Sequence, residues 1–266
     1  MSVSINKNLL NQEKLIQLAK GAVVPVLLLI FWEYMSRQSV ENAYAFASIE
    51  QMYHALLEVI ATQELQTSLV ASLLRALTGL AIGGVLGFTI GALMATSKIV
   101  DVSIGPIYHI FRQVPLMGLV PLFGLWLGNG DTAKLFIVCL AAFYPLVLAT
   151  YESLRQVETK YREVGDVLKL GRVQLFFRIL LPAALPNIFT GVAFALAFAW
   201  LSTIGSEILF NAGSGLGNMM MNAEVAARMD ILIVVTILIG IVGFGMNLLL
   251  SRVGRHLFRW RNLRAA

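Results

Sequence analysis

Few residues in this sequence have the types and spacing that catalysis or metal binding requires. The three histidines, His54, His109 and His256, form no HExxH pattern, and Cys139 has no partner at metal-ligand spacing. The glycine-rich stretch at 211–217 lacks the GxxxxGK[ST] pattern, and we interpret it as a flexible exterior turn. We therefore expect no catalytic residue, no metal and no cofactor bound by this chain, and we expect Cys139 to be a buried apolar side chain.

Of the ionisable residues, Glu207 costs the most free energy to place in a membrane, because it lies within the apolar run 200–210. An acidic group inside a membrane span is expensive and indicates function by default. One hypothesis is that Glu207, together with Trp200, lines a translocation pathway or gate. The alternative is that Glu207 makes a structural hydrogen bond or ion pair.

Two prolines interrupt the apolar run 104–127. Pro115 and Pro121 each remove a backbone donor that an unbroken helix would need. A broken helix at membrane depth is tolerated where protein covers it or where it lines a water-filled cavity. Residues 114–121 are therefore a candidate pathway or hinge segment, and a merely kinked structural helix is the alternative.

Glycines recur at every fourth position in the run 73–96, which places them on one helix face. This GxxxG spacing lets helices approach closely in lipid. We expect the face to pack inside its own bundle, and a subunit interface or a sliding surface is the alternative. The glycines are Gly79, Gly83, Gly87 and Gly91.

The composition places the elements that carry these residues in a membrane. Of the 266 residues, 58% are apolar and only 13% are charged, whereas soluble domains have about 25% charged residues. The mean hydropathy is +0.78. These values argue against soluble enzymes and free DNA-binding domains.

Six apolar runs approach the length of about 20 residues that a bilayer crossing needs. We therefore predict an all-α integral membrane protein with six transmembrane helices. The runs lie at 21–34, 73–96, 104–127, 132–150, 186–209 and 231–250. The predicted organisation is a cytoplasmic segment at 1–20, a transmembrane domain at 21–250 and a basic cytoplasmic tail at 251–266.

The basic residues are distributed unequally between the two faces of this topology. Short cytoplasmic loops are enriched in Lys and Arg. Sixteen basic residues fall on the side of the two termini, and three, Arg37, Lys134 and Arg228, fall on the other side. The remaining one, Arg75, lies near the start of the second span. We predict that both termini are cytoplasmic. The asymmetry also accounts for the net charge of +5 without nucleic acid as a partner.

The first apolar run has an alternative interpretation as a cleaved signal peptide, because it follows a basic start and precedes small residues at 43–48. These small residues, which would form the cleavage site, lie too far beyond the apolar stretch for usual cleavage. The aromatic residues at its end fit an interfacial anchor, which favours a retained span.

The segment 48–64, on the exterior side, alternates apolar and acidic positions at helical spacing. Met52, Leu56, Val59 and Ile60 share one side. The pattern predicts an amphipathic helix that lies on the membrane or on the bundle.

A polar segment at 151–186 separates the fourth and fifth runs. It mixes six basic and four acidic residues and ends at Pro182 and Pro186. We predict two short helices joined by a turn near 169–172, where Gly171 can accept a positive φ. A loop of this size with its own structure is usually functional, so we predict a docking element for a cytoplasmic partner.

The same segment resembles the EAA loop of binding-protein-dependent ABC importer permeases, whose pattern is E-A-A-x3-G-x9-I-x-L-P. Glu163 occupies the glutamate position, and Val164 and Gly165 occupy the two alanine positions. The family glycine falls on Lys169, with Gly171 two residues later. The end of the pattern matches at Ile179, Leu181 and Pro182.

The resemblance extends to the stretches 72–84, 112–128 and 214–223. These stretches are similar to the permeases of the family branch that imports sulfonates, taurine, nitrate or bicarbonate. The resemblance implies the type I importer permease fold in a bacterial inner membrane. It also implies a homodimer of this chain, two copies of a separate ATPase subunit that bind the ATP and Mg, and a periplasmic or tethered solute-binding protein. The loop around 163–171 would dock on the ATPase.

The leading hypothesis is therefore the membrane subunit of an ATP-driven importer of a small anion, with sulfonate-like compounds ahead of nitrate and bicarbonate. The alternative is an ATP-independent channel or secondary carrier. Inverted repeats would support a carrier, and we find none that is convincing. An intramembrane enzyme is disfavoured because paired catalytic groups are missing.

Overall fold

The computed structural model describes residues 20–21, 23–38, 46–210 and 212–258, and these residues form helices and connecting turns without a strand. A 3₁₀ turn at Leu116–Leu119 and a π-helical turn at Phe176–Leu180 interrupt the α-helices. The α-helices are α1 (Val23–Ser36), α2 (Ile49–Ala61), α3 (Glu64–Thr96), α4 (Lys98–Phe111), α5 (Val120–Leu127), α6 (Asp131–Arg155), α7 (Thr159–Val167), α8 (Arg172–Leu175), α9 (Leu181–Phe210), α10 (Leu216–Val225) and α11 (Met229–Leu257).

Four helices are long and apolar enough to cross a membrane. They are α3, α6, the continuous helical segment Arg172–Phe210 and α11, which match the second, fourth, fifth and sixth predicted crossings. The bent pair of α4 with Leu116–Leu127 raises the number to five if it is counted as one span. The first predicted crossing corresponds to α1, a shorter apolar helix, so the number six stays a prediction.

The third predicted crossing is not a single helix. Its two halves are bent by 83° at a break that contains Pro115, which stands in the extended conformation before the 3₁₀ turn. Pro121, in contrast, lies in the first turn of α5. A proline is tolerated there because its missing N–H would have no partner within the helix. Of the two prolines, Pro115 alone therefore lies at the break.

The chain divides into two compact units, of which the larger comprises Gln63–Asn222 and Val235–Ala266. Helix α6 is its centre, since it packs against both α3 and α9. Half of the buried residues in this core are alanines, which allow close helix approach. The buried core residues are Ala92, Val138, Ala142, Leu146, Leu154, Leu180, Ala184, Ile188, Ala195 and Ala199.

The glycine face of α3 lies against α6 of the same chain. All four repeated glycines are buried. A Cβ atom placed on Gly83 would collide with the backbone carbonyl of Cys139, and one on Gly87 would lie 2.7 Å from the carbonyl oxygen of Phe143. The glycines therefore allow the backbones of α3 and α6 to lie in contact. Helix α6 covers this face of α3, so the face is not available to a second subunit.

The smaller unit comprises the residues up to Thr62 together with Ala223–Val234. Its helix α2 starts at a capping box between Ser48 and Gln51 and buries Ala55 and Val59. The segment is helical as predicted, but its buried side is shifted, because Ile60 is exposed.

The described residues of the smaller unit form three ion pairs. Glu33 at the end of α1 accepts a hydrogen bond from the backbone N–H of Ile49 at 3.1 Å and pairs with Arg37. Arg228 donates to both Glu58 of α2, at 2.7 Å, and Asp230. The Arg228 guanidinium holds the pKa of Glu58 below its ordinary value, because it donates hydrogen bonds to the carboxylate.

Candidate functional site

The EAA-like pattern covers α7, a tight turn, α8 and the π-helical turn that leads into α9. The predicted loop is shorter in the structure than its sequence limits of 151–186, because α6 continues to Arg155 and the fifth span begins at Arg172. Helix α7 is a separate two-turn helix between them, and Glu163 is exposed on it. The pattern residues thus bridge two long membrane helices.

The turn after α7 contradicts one detail of the sequence prediction. Lys169 has the positive φ, at 51°, whereas Gly171 is extended with φ −64°. The N–H of Leu170 bonds the carbonyl of Gly165, and the N–H of Lys169 bonds that of Asp166, both at 3.0 Å. This Schellman motif needs its left-handed residue at position 169. A lysine thus adopts the left-handed conformation at the position that holds glycine in the family pattern.

Gly165 brings the two ends of the pattern together. It is buried, and a Cβ atom at this position would collide with the side chain of Leu175 and lie 3.5 Å from that of Ile179. Because the clashing atom lies at the end of the flexible Leu175 side chain, a small residue such as the alanine of the family pattern can be accommodated here, whereas a large one cannot. Helix α7 packs on the start of the fifth span through this contact.

The π-helical turn lies where the pattern ends, at Leu181 and Pro182. The N–H of Leu181 bonds the carbonyl of Phe176, five residues earlier. Pro182 has no N–H to continue the ladder, which accounts for the local change in hydrogen bonding. Such π-helical turns occur often at functional sites.

The segment exposes an apolar surface that nothing in the described chain covers. Val167 is 82% exposed and Leu168 is 62% exposed, and Val164 lies next to them on α7. Further exposed apolar side chains follow at Val173 and Phe177. We call the part formed by α7 and the residue after it, which comprises Glu163, Val164, Val167 and Leu168, the coupling surface. Exposed apolar patches of this kind mark sites of protein interaction.

A second candidate site surrounds Glu207, whose side chain is completely buried in α9. Its carboxylate accepts hydrogen bonds from Ser72 Oγ at 2.8 and 2.9 Å, and from the N–H of Gly217 at 2.9 Å. It also forms an ion pair with Arg75 of α3, whose side chain is 8% exposed. Arg75 in turn reaches Asp131 at the start of α6, at 2.6 Å.

Lys134 adds a second buried cation to this cluster. It is fully buried in α6 and donates to the carbonyl of Ala212 and to Asn218 Oδ1, the latter at 3.0 Å. The cluster therefore ties α3, α6 and α9 to the segment that begins α10. We call Ser72, Arg75, Lys134, Glu207 and Asn218 the buried charge network.

The glycine-rich stretch before α10 is not a simple exterior turn as predicted. Ser214 and Gly213 are exposed, and Gly213 has a positive φ of 75°. Gly215 and Gly217, however, are buried against Glu207, so that a Cβ atom on either would collide with that residue. The second half of the stretch is thus a fixed part of the buried charge network.

The structure also shows what surrounds Trp200 and Pro115, two other residues predicted to line the translocation pathway. Trp200 is 8% exposed and donates its indole N–H to the carbonyl of Ile239 at 3.2 Å, which joins α9 to α11. Pro115 is exposed beside Met117, whose side chain approaches Gly205 of α9. The contacts of Glu207 and Trp200 thus agree with structural roles. The pathway role of Pro115, Pro121, Trp200 and Glu207 stays a prediction.

Sequence reasoning missed the partners of Glu207. Arg75 and Lys134 were treated only as basic residues near the ends of spans. Since a charged side chain within a span is expensive wherever it occurs, the same rule that singled out Glu207 would have found them. The hydrogen bonds of Ser72 to Glu207 and of Lys134 to Asn218 have no comparable signal in the sequence, because they depend on tertiary contacts. Among the residues that the structure describes, there is no group of three or more His, Cys, Asp or Glu side chains that could hold a metal.

Comparison with known proteins decides the family. Residues 83–262 match the family described as binding-protein-dependent transport system inner membrane component. The chain belongs to this family. The matched range includes the C-terminal part of α3, the whole EAA-like pattern and Glu207.

Two relatives of this permease cover most of its length. A protein from Bacillus subtilis that is named for aliphatic sulfonates transport, SsuC, is 31% identical over 91% of this chain and 88% of its own. The nitrate import permease NrtB of Synechocystis sp. is 30% identical over 84% of this chain and 83% of its own. Both are permease proteins, so this chain is a transport component rather than an enzyme.

A solved structure agrees on the fold of the permease. An inward-facing form of the MetNI methionine ABC transporter superposes with a TM-score of 0.63 at 18% identity, over 73% of this chain and 95% of that chain. The likeness shows the all-α fold of ABC importer permeases. The permease is thus a multi-pass integral membrane protein of the type I fold.

Proposed function

We propose that this permease imports a small anion as the membrane subunit of an ABC transporter, with sulfonate-like compounds first and nitrate or bicarbonate next. The names of the two relatives support this class of substrate, because both compounds they name are small anions. The coupling surface carries the proposal for the source of energy. It offers an apolar patch and one acid on a helix that stands apart from the long spans.

In this proposal a separate ATPase subunit docks on the coupling surface. ATP and Mg are bound by the ATPase, and none is bound by this chain. Because Gly165 seats α7 against Leu175 at the start of the fifth span, movement of the ATPase would pass to that span as rigid-body motion. The coupling residues are Glu163, Val164, Gly165, Lys169, Gly171, Ile179, Leu181 and Pro182.

The assembly we propose contains two copies of this chain, two ATPase subunits and a solute-binding protein that delivers the anion. It lies in the bacterial inner membrane with both termini in the cytoplasm, in agreement with the excess of basic residues on that side. The anion would cross near the dimer axis beside the third to fifth spans.

The test replaces Val167 by Asp in the tagged chain, purified from native membranes in mild detergent. An Asp in an apolar interface remains without a partner and is expensive to desolvate. We expect the amount of co-purified ATPase to fall at least about tenfold, and ATP-dependent uptake of taurine or nitrate into liposomes to fall with it.

Val225→Asp is the matched control, because Val225 is an equally exposed apolar residue, 74% exposed, at the end of α10. This variant should keep both the ATPase and the uptake. If Val167→Asp binds and transports as the unmodified chain does, the docking proposal is wrong. A chain that is purified alone and moves anions without ATP would establish the channel or carrier alternative.

A further inference from the structure

A cavity of about 860 Å³ lies between the end of α3, the start of α4 and the segment α8 with its π-helical turn. Its walls are mostly apolar, with Phe88 and Leu93 from α3 and with Phe176 and Phe177 from the π-helical turn. The cavity is in the size range of sites that enclose small molecules, about 300–1,000 Å³. It belongs to neither the coupling surface nor the buried charge network.

Two cations line the cavity without an acidic counterpart. Lys98 and Arg172 are both exposed lining residues, and neither Asp nor Glu is among the residues that line the cavity. Neither cation forms an ion pair in the described part of the chain. The electrostatic field at the cavity therefore favours an anion.

The position of the cavity matches the boundary of a membrane. Lys98 lies two residues after the end of α3, a span of 33 residues, and Arg172 begins the fifth span. Ile99 and Val102, 80% and 68% exposed, flank the same corner of α4 and are suited to contact lipid. An apolar cavity with cations at the level where spans end matches an amphipathic anion. Basic pockets between membrane helices at the cytoplasmic side bind anionic lipid headgroups.

We infer that this cavity binds one anionic phospholipid, with its phosphate between Lys98 and Arg172 and an acyl chain along Phe88 and Phe176. Its assignment to the cytoplasmic leaflet rests on the orientation in the proposed function, whereas binding itself does not depend on transport. The lipid would join α3 to α8, so it would stabilise the start of the span on which the coupling surface is mounted.

Native mass spectrometry of the delipidated full-length chain with added palmitoyl-oleoyl phosphatidylglycerol tests this inference. We expect one tightly bound phosphatidylglycerol, and an apparent affinity about 30-fold lower in Lys98→Gln/Arg172→Gln, since each basic residue near an anionic lipid contributes about fivefold. Arg252→Gln/Arg255→Gln, which removes two exposed cations from the end of α11, should bind as the unmodified chain does.

A second variant, Thr89→Phe, keeps both cations and places a bulky ring in the cavity, since the exposed Thr89 lines it. It should also lose the tightly bound lipid. Equal loss in the two charge variants would overturn the inference, as would equal binding of phosphatidylcholine or displacement of the lipid by inorganic phosphate alone. Binding that disappears when the chain dimerises would assign the cavity to a second copy and would also overturn it. None of these measurements uses ATP or a transported anion, so a failure of the proposed function leaves their outcome unaffected.

Discussion

Glu207 and Arg75 remain in a buried position because each compensates the charge of the other. The carboxylate is fully buried and uses hydrogen bonds from Ser72 and Gly217 in addition to the ion pair. The bond from Arg75 to Asp131 contributes little, because the side chain of Asp131 is 77% exposed. The removal of one buried partner leaves a charge without compensation, and this is the most costly way to disturb such a pair.

We therefore predict that Glu207→Gln lowers the free energy of unfolding by about 3–5 kcal/mol. Arg75→Gln should have a similar effect, and the double variant Glu207→Gln/Arg75→Gln should be less destabilised than the sum of the two. Thermal unfolding in mild detergent measures all three. The control is Glu224→Gln, since Glu224 is exposed on α10. Strictly additive effects would show that the two side chains act independently.

The left-handed backbone at Lys169 leads to a second prediction for single residues. A non-glycine residue in this region carries about 1–2 kcal/mol of strain. Lys169→Gly should leave the turn intact or stabilise it slightly, whereas Lys169→Val should destabilise it, because a β-branched residue is least tolerated at positive φ. Hydrogen exchange of the amides at 165–172 reports the stability of this turn.

Gly171→Ala distinguishes the observed turn from the one predicted from sequence. Because Gly171 is extended and has open space around its Cα, this substitution should be neutral or stabilise by about 0.4–1 kcal/mol. Faster hydrogen exchange in Gly171→Ala than in the unmodified chain would place the left-handed residue at 171 and would contradict the structure.

At the scale of helices, the contact between α3 and α6 is set by backbone approach rather than by large side chains. A methyl group at Gly83 would meet the carbonyl of Cys139, which cannot rotate away as a side chain could. Since α6 also packs against α9, a displacement of α3 would disturb the centre of the larger unit.

We predict that Gly83→Ala destabilises the permease by about 1–3 kcal/mol, because it overpacks this helix contact. Gly240→Ala in α11 makes the same chemical change where nothing lies within 4 Å of the added atom. It should be neutral or slightly stabilising, since alanine favours a helix by about 1 kcal/mol over glycine. The comparison uses melting temperatures in one detergent, and equal shifts in the two variants would refute the role of close packing.

The sequence identified the helices better than it identified their contacts. Apolar runs near 20 residues located α3, α6, α9 and α11, since the length of a span is a property of the local sequence. The bend at Pro115 was only a candidate, because the effect of a proline depends on what surrounds the freed backbone groups. The partners of Glu207 lie 132 and 135 positions away at Arg75 and Ser72, and no local pattern reports pairing over such distances.

At the scale of the whole molecule, the distribution of basic residues predicts which face meets the cytoplasm. Cysteine labelling can test it, because Cys139 is the one native cysteine and can be replaced by Ser. In that background, Lys169→Cys should be protected from a membrane-impermeant maleimide in intact cells, whereas Ser214→Cys should be labelled. Both positions are exposed in the structure. The opposite pattern of labelling would invert the orientation and remove the coupling surface from the side of the ATPase.

The buried ion pair also has a consequence for the order in which the chain is made. Synthesis proceeds from the N-terminus at about 5–20 residues per second, so Glu207 is added roughly 7–26 s after Arg75, which it follows by 132 positions. During this interval α3 contains a basic side chain that lacks its buried acidic partner, and a charged group within a span is costly to place in a bilayer. A nascent chain that stops before Glu207 would therefore leave Arg75 without its buried ion pair.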